Sequence, residues 1–166
     1  MTAQLRFATP ADANALAQLR YDFRSVLGEA TESPEGFVAR CSAWMAERLA
    51  DSNRWRCWVA VRDTGSIDGC LWLQLIEKVP NPVPELEQHA YITNVYVRPE
   101  ARGGGVGELI VGAAMAWCRD QGIDSAILWP TERSRSLYER HGFAVRADLM
   151  EAIVNEGRDL HGSAEP

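Results

Sequence analysis

The sequence predicts an α/β fold, an α+β mixed sheet of six to seven strands with an antiparallel middle and about four flanking helices. Two observations carry this. Apolar runs with strand and helix spacing follow one another as β-α-α-β-β-β-α-β-α-β, with a further strand expected near the end and no internal repeat. Residues 56–63 and 66–76 are rich in β-formers and are joined across Asp63-Thr64-Gly65-Ser66, which reads as an antiparallel hairpin.

The elements follow in order. Leu5 to Ala8 is a short strand. Thr9-Pro10-Ala11-Asp12 then opens a helix, because a capping oxygen and a missing N–H answer the orphan donors of a first turn. That helix is expected to reach about Arg20, with Leu16 and Leu19 inward. The stretch YDFRSVLGEATE lacks clear periodicity and reads either as a helix or loop over a cleft or as a surface connection. Ser33-Pro34 starts a second helix over about 35–50, in which Phe37, Cys41, Trp44, Met45 and Leu49 fall three or four apart. After the hairpin, residues 77–88 hold three prolines in five positions and can be neither helix nor central strand. Residues 90–97 form a strand that stops at Arg98-Pro99. A long helix over about 105–121 turns Val106, Ile110, Ala114 and Cys118 inward and ends at Gly122. SAILWP (125–130) is a fifth strand, ERSRSLYERHG a short helix closed by Gly142, and one or two closing strands are expected from Phe143 onward.

A chain of 166 residues with 46% hydrophobic and 24% charged content is expected to form a single domain, with a core over about 4–154 and a tail over 155–166. Its net charge of −6, from 17 basic and 23 acidic residues, argues against a nucleic-acid or anionic-membrane surface. No apolar run approaches the roughly 20 residues of a membrane span, and the first residues lack an apolar signal core. Cys41, Cys57, Cys70 and Cys118 have no paired C-x-x-C spacing, so they read as buried thiols rather than metal ligands. A cytoplasmic, metal-free protein is expected.

The chemistry concentrates in RPEARGGGVGELI (98–110), where four glycines fall within five positions at the mouth of a helix. Helix N-termini present N–H groups without internal acceptors, and the peptide dipoles favour negative charge there. Bare glycines let phosphate oxygens approach that backbone, with Arg102 beside them. An ATP-type loop needs Lys then Ser or Thr after its glycines, whereas Glu108 and Leu109 follow Gly107 here. A dinucleotide turn needs G-x-G-x-x-G, which this turn does not spell.

Arg102-x-x-Gly105-x-Gly107 after VYVRPE resembles the acyl-coenzyme A motif of the GCN5-related N-acetyltransferase (GNAT) superfamily. TERSRSLYERHGF (131–143) is similar to that family's Asn-x-x-Ala-x-x-Leu-Tyr-Glu-x-x-Gly-Phe, and the opening LRFATPADANALAQL is also typical of it. The resemblance implies the GNAT fold, with a splayed parallel strand pair, and transfer of an acetyl group from acetyl-CoA to a primary amine. It implies that backbone amides of Gly103, Gly104, Gly105, Val106 and Gly107 hold the pyrophosphate with Arg102. Val95, Tyr96 and Val97 would bind the pantetheine arm, and an N–H near Tyr96 or Val97 would polarise the thioester carbonyl. Tyr138 takes the place of the tyrosine that protonates or hydrogen-bonds the leaving sulfur. Ser134 shares its helical face, and Thr131 stands where the family often has asparagine on the pantetheine amide, of which a hydroxyl replaces only part.

Many relatives carry a carboxylate base in the middle of the splayed strand, where this chain has Thr93 and Asn94, neither able to accept a proton as a base. Glu87, His89 and Glu85 in and after the proline-rich loop are the remaining candidates, with Asn94 left to hold water or substrate. Direct attack by the deprotonated fraction of the amine needs no base. The acceptor side implied by the family includes Tyr21, Phe23, Arg24, Trp44 and Trp72; an aromatic pocket suits a flat amine or a cation over a ring face. Trp72 alternates with Leu71 and Leu73, so it faces either the cleft or the core. The expected acceptor is a small-molecule amine, with a protein or peptide amine second and a non-catalytic acyl-CoA sensor third. A homodimer is expected from the resemblance.

Overall fold

The computed structural model describes residues 3–26 and 31–154. The backbone gathers into two compact units, residues 1–128 and 129–166. The first holds β1 (Gln4–Phe7), α1 (Ala13–Ser25), α2 (Pro34–Ala50), β2 (Trp55–Val61), β3 (Ile67–Glu77), β4 (Gln88–Val97), α3 (Val106–Asp120) and β5 (Ala126–Ile127). The second holds α4 (Arg135–Arg140), entered through a tight turn at Glu132–Ser134.

The strands lie in the order β1-β2-β3-β4-β5. Pairs β1–β2, β2–β3 and β3–β4 are antiparallel, and β4–β5 is parallel. β2 and β3 are apolar on both sides because both sides are covered. One face sets Cys57, Val59, Cys70, Trp72 and Tyr96 against Ala13, Leu16, Ala17 and Leu19 of α1 and Met45 of α2. The other takes α3, whose Ile110, Val111 and Ala114 are fully buried. Truncating a residue such as Leu16, with no exposed surface, to Ala costs about 2–5 kcal/mol by lost transfer energy and cavity formation. Gly69 is required by closeness: a Cβ there would stand 2.9 Å from the Tyr96 carbonyl oxygen and 3.1 Å from Ile110 Cδ1.

β4 carries an irregularity that decides the geometry of the site. Cys70 pairs with Tyr96 but Trp72 pairs with Thr93, so β4 spends three residue steps where β3 spends two. This is a bulge, and Asn94 absorbs it with φ of 49°, in the left-handed region where asparagine is among the tolerated residues. The Cys70 thiol donates to the Asn94 carbonyl at 3.8 Å. On its other edge β4 meets β5 only through Ala90↔Ala126 and Tyr91↔Ile127, so the parallel ladder ends before the bulge.

Several expectations are corrected. The sheet has five strands among the described residues, not six or seven. The stretch after Phe143 forms no strand up to Val154; it turns at 146–149, where the Leu149 N–H faces the Arg146 carbonyl and the Arg146 and Asp148 side chains pair at 3.0 Å. The fifth strand shrinks from 125–130 to two residues, and Pro130 has no N–H with which to extend a ladder. α1 continues past Arg20 to Ser25, which places Tyr21, Phe23 and Arg24 on a helix. The rest of the uncertain stretch, 27–30, and the tail at 155–166 lie outside the described residues. The four cysteines are free thiols, and burial pushes Cys70 up to about 12 and Cys118 up to about 11. No described helix is long and apolar enough to cross a membrane.

The entry to α1 is fixed by charge. Arg6 donates through both terminal nitrogens to the Asp12 carboxylate at 2.8 Å, and the Thr9 N–H donates to the same carboxylate at 2.7 Å. The Arg6 hydrogen bond, with help from Thr9 and against desolvation, lowers the Asp12 carboxyl to about 2. A carboxyl lowered in the folded state stabilises it above its unfolded pKa, near 4, and that contribution fades as pH falls toward 2. Asp12→Asn is therefore expected to cost about 1 kcal/mol at neutral pH and to flatten the loss of stability between about pH 4 and 2. Chemical denaturation across that range measures both effects.

Candidate active site

The glycine turn takes the shape that its composition permits. Gly103 and Gly105 adopt φ of 77° and 81°, and an ideal Cβ built at either meets nothing within 4 Å. A ligand can thus approach backbone that an L side chain would both strain and cover. Gly105 is the N-cap of α3, so the turn stands at the end of the helix where the first N–H groups lie outside the intrahelical ladder. Gly103, Gly104 and Gly105 are exposed, whereas Val106 is buried and anchors the turn. Arg102 folds back: its Nε donates to the Val97 carbonyl at 3.0 Å and its guanidinium lies 5.8 Å from the Tyr96 ring centroid. One arginine thereby ties the turn to the end of β4.

β4 runs into this turn with Val95, Tyr96 and Val97 beyond the reach of β5, leaving a strand edge that an extended arm can line. Tyr96 is buried against Phe23, ring centroids 5.2 Å apart. The bulge at Asn94 stands at the start of this open edge, and the Asn94 side-chain carbonyl accepts from Arg20 Nη1 at 3.1 Å. Arg20 escapes sequence reasoning because it reads as a helix end. The available signal was RYDFR, which places Arg20 and Arg24 four apart on one helical face.

In the second unit, Thr131 and Ser134 close the turn before α4. The Thr131 N–H donates to Ser134 Oγ at 3.0 Å, and the two hydroxyls are 2.9 Å apart. Tyr138 is buried, edge-on to Phe143 at 5.8 Å between ring centroids. Burial raises the Tyr138 phenol to about 12, with the Ser134 hydroxyl partly opposing the rise. The phenol is therefore a proton donor throughout the neutral range. Gly142, with φ of 88°, closes the helix while its N–H bonds to the Glu139 carbonyl.

The acceptor residues divide. Trp72 is 2% exposed and belongs to the core, which resolves the alternation in favour of packing. It stacks edgewise on Trp55 at 6.1 Å and meets Trp44 at 6.0 Å; Trp44 is the exposed member of the trio. The ring faces expected to receive a cation already carry the protein's own arginines: Arg48 lies 4.8 Å from the Trp44 centroid and Arg20 lies 5.8 Å from that of Phe23.

The expected bases are not brought to the bulge. His89 starts β4, six residues before Val95 and so about 20 Å away along the strand, and its Nδ1 is 2.7 Å from Ser125 Oγ. Glu87 lies further still, where its carbonyl accepts from the Lys78 N–H. Glu85 pairs with Lys78 at 3.2 Å and accepts from Asn81 at 2.6 Å. The strand's length separates these groups from Val95–Val97, because proximity in sequence along an extended chain is distance in space.

Residues 18–143 match the Acetyltransferase (GNAT) family. Over 93 residues the chain is 34% identical to mycothiol acetyltransferase of Salinispora arenicola; the match spans 52% of this chain and 28% of that protein. Among solved structures, a GCN5-related N-acetyltransferase from Ralstonia eutropha superposes with a TM-score of 0.73 at 26% identity, covering 92% of this chain and 99% of that one. A predicted acetyltransferase from Clostridium acetobutylicum, solved with acetyl-CoA, gives 0.75 at 20% identity over 92% and 96%. With the left-handed glycine turn, the bulged and splayed β4 and three quarters of its length matched, the chain belongs to the GNAT acetyltransferase family.

Proposed function

We propose that the protein is an acyl-CoA-dependent N-acetyltransferase that moves an acetyl group from acetyl-CoA to a primary amine of a small molecule, its two units forming one such domain. The observation that carries this reading is the edge of β4 at Val95 to Val97, which β5 leaves unpaired, leading into a turn whose Gly103 and Gly105 take left-handed φ at the mouth of α3. Those residues would hold the pantetheine arm and the pyrophosphate, with Thr131 and Ser134 contributing hydroxyls. Acetyl-CoA supplies an activated acyl group as a thioester. The neutral amine attacks the thioester carbonyl, an N–H near Tyr96 or Val97 stabilises charge developing on its oxygen, and the C–S bond breaks as the amide forms. Tyr138 gives its proton or a hydrogen bond to the departing sulfur, for which a phenol near 12 is suited at neutral pH. Thr93 and Asn94 leave the middle of β4 without a carboxylate, and Glu87 and His89 stand at its far end. The amine's proton accordingly passes to water, with Glu87 or His89 acting only through a chain of waters.

A small acceptor is supported by the stiff loop of Pro80, Pro82 and Pro84 and by relatives named for mycothiol. Free, buried Cys57, Cys70 and Cys118 support a reducing, cytoplasmic setting, and the net charge of −6 supports a role away from nucleic acid. We further propose a homodimer through the segment after Phe143, where Val145, Leu149, Met150, Ile153 and Val154 are exposed.

Three measurements check these statements. Gly105→Val, which forces a branched side chain into a left-handed position, is expected to weaken coenzyme A binding at least tenfold by calorimetry; unchanged affinity would remove the turn from the site. Thiol release from acetyl-CoA, screened over small amines and short peptides, is expected to favour small amines and to fall about 10–100-fold in Tyr138→Phe. A preference for peptides would reassign the acceptor, and coenzyme A binding without any turnover would make the protein a sensor. Light scattering at micromolar concentration is expected to give twice the 18.4 kDa chain mass, and the single-chain mass would refute the dimer.

A further inference from the structure

The α1-facing side of β4 has an excess of donors and a shortage of acceptors. Arg20 is half-buried on α1, and the one hydrogen bond its side chain makes among the described residues goes to the neutral Asn94 Oδ1, at 3.1 Å. The groups that act on its charge are Arg24, Cys41, Cys70 and Tyr91, with no carboxylate among them. Burial and the like charge of Arg24 both disfavour the guanidinium, which nonetheless stays protonated, as arginine does in proteins. Asp22, two residues along, is committed elsewhere: it accepts from Gln18 at 2.9 Å and faces Arg98 at 3.7 Å. On the same sheet face, Trp72 pairs with Thr93, the residue before Asn94, and its buried indole N–H has no acceptor among the described residues.

A half-buried cation without a counter-charge among the described residues is unfavourable unless something supplies the charge. The position indicates what does. Asn94, which Arg20 holds, lies one residue from Val95 and two from Tyr96, about 3–7 Å along the strand, so Arg20 is anchored beside the open edge where the acyl arm is proposed to lie. The ring faces of Phe23 and Trp44 are already capped by Arg20 and Arg48, so these rings do not select for a second cation.

We propose that the acceptor amine carries an anionic group, a carboxylate or a phosphate, and that Arg20, with Arg24 beside it, binds that group while Asn94 sets the guanidinium's orientation. The acceptor is then an amino acid, an amino-acid derivative or a phosphorylated amine rather than a simple polyamine. This rests on the acetyl-transfer reading for the amine but on α1 alone for the anion.

The test uses matched pairs in the thiol-release assay: amino acids against their carboxamides, and aminoalkyl or amino-sugar phosphates against the unphosphorylated amines. The anionic member of at least one series is expected to show kcat/KM ten times that of its neutral partner or more, and the series that does so separates carboxylate from phosphate. Arg20→Met is expected to lower kcat/KM about 10–100-fold more for the anionic than for the neutral partner, the scale of one charge-assisted contact, and Arg20→Lys to recover part of the difference. Equal rates within every pair in the wild-type protein, or equal losses for both partners in Arg20→Met, would overturn the proposal; if the Met variant does not fold, the wild-type ratios decide. Calorimetry of the same pairs on coenzyme A-saturated protein is the second arm. Binding that prefers the anion and weakens in Arg20→Lys, without turnover, would sustain the anion site and sink the acetyl-transfer reading, whereas turnover without anion preference would do the reverse.

Discussion

The extra residue in β4 at Asn94 is the constraint on which the rest of the molecule depends. A regular strand pairs on both edges and offers nothing to a ligand. Here β4 keeps its pairing with β3 to Val97 but loses β5 after Tyr91, and the bulge lies just beyond that point. The cost of a left-handed asparagine is met locally, since its carbonyl accepts from Cys70 and its side chain from Arg20. Cys70 acts as a small, buried core residue whose thiol, raised to about 12, remains a donor.

From the bulge, each functional feature is reached by a short structural step. Val95 to Val97 form the open edge; Arg98 donates Nε to the Ile67 carbonyl and its N–H to the Asp68 carbonyl, which pins the strand's end to β3. Gly69 allows β3 to approach Tyr96 closely. Arg102 returns to the Val97 carbonyl and the glycines then start α3, whose buried stripe of Val106, Ile110, Val111 and Ala114 holds the turn against the sheet. A rigid scaffold thus presents backbone groups at fixed positions, which is what the proposed polarising of a thioester and seating of a pyrophosphate require.

The electrostatics of the acceptor side run opposite to those of the whole chain. A net charge of −6 favours cationic partners at long range, yet Arg20, with Arg24 acting on it, makes the neighbourhood of Asn94 locally positive. At contact distance the local field outweighs the total, because charges beyond roughly 10 Å are screened by salt whereas a half-buried guanidinium is not.

Much of this was legible in the sequence. The helix starts at Thr9-Pro10 and Ser33-Pro34, the hairpin, the glycine turn and the short helix bearing Tyr138 are each written in local residues, since caps, turns and periodic burial act over a few positions. The two motifs that carry the family resemblance are local for the same reason. What required tertiary structure was every question of pairing and partnership. Strand count depended on whether residues after Phe143 found a ladder, and among the described residues they form none and turn at 146–149 instead. Trp72 could face cleft or core by alternation alone, and packing against α1 and α2 chose the core. Glu87 and His89 were near β4 in sequence but at its far end in space. Arg20 and Asn94 are separated by 74 positions, so no local rule could pair them; only the packing of α1 on the bulged strand brings the guanidinium to the asparagine.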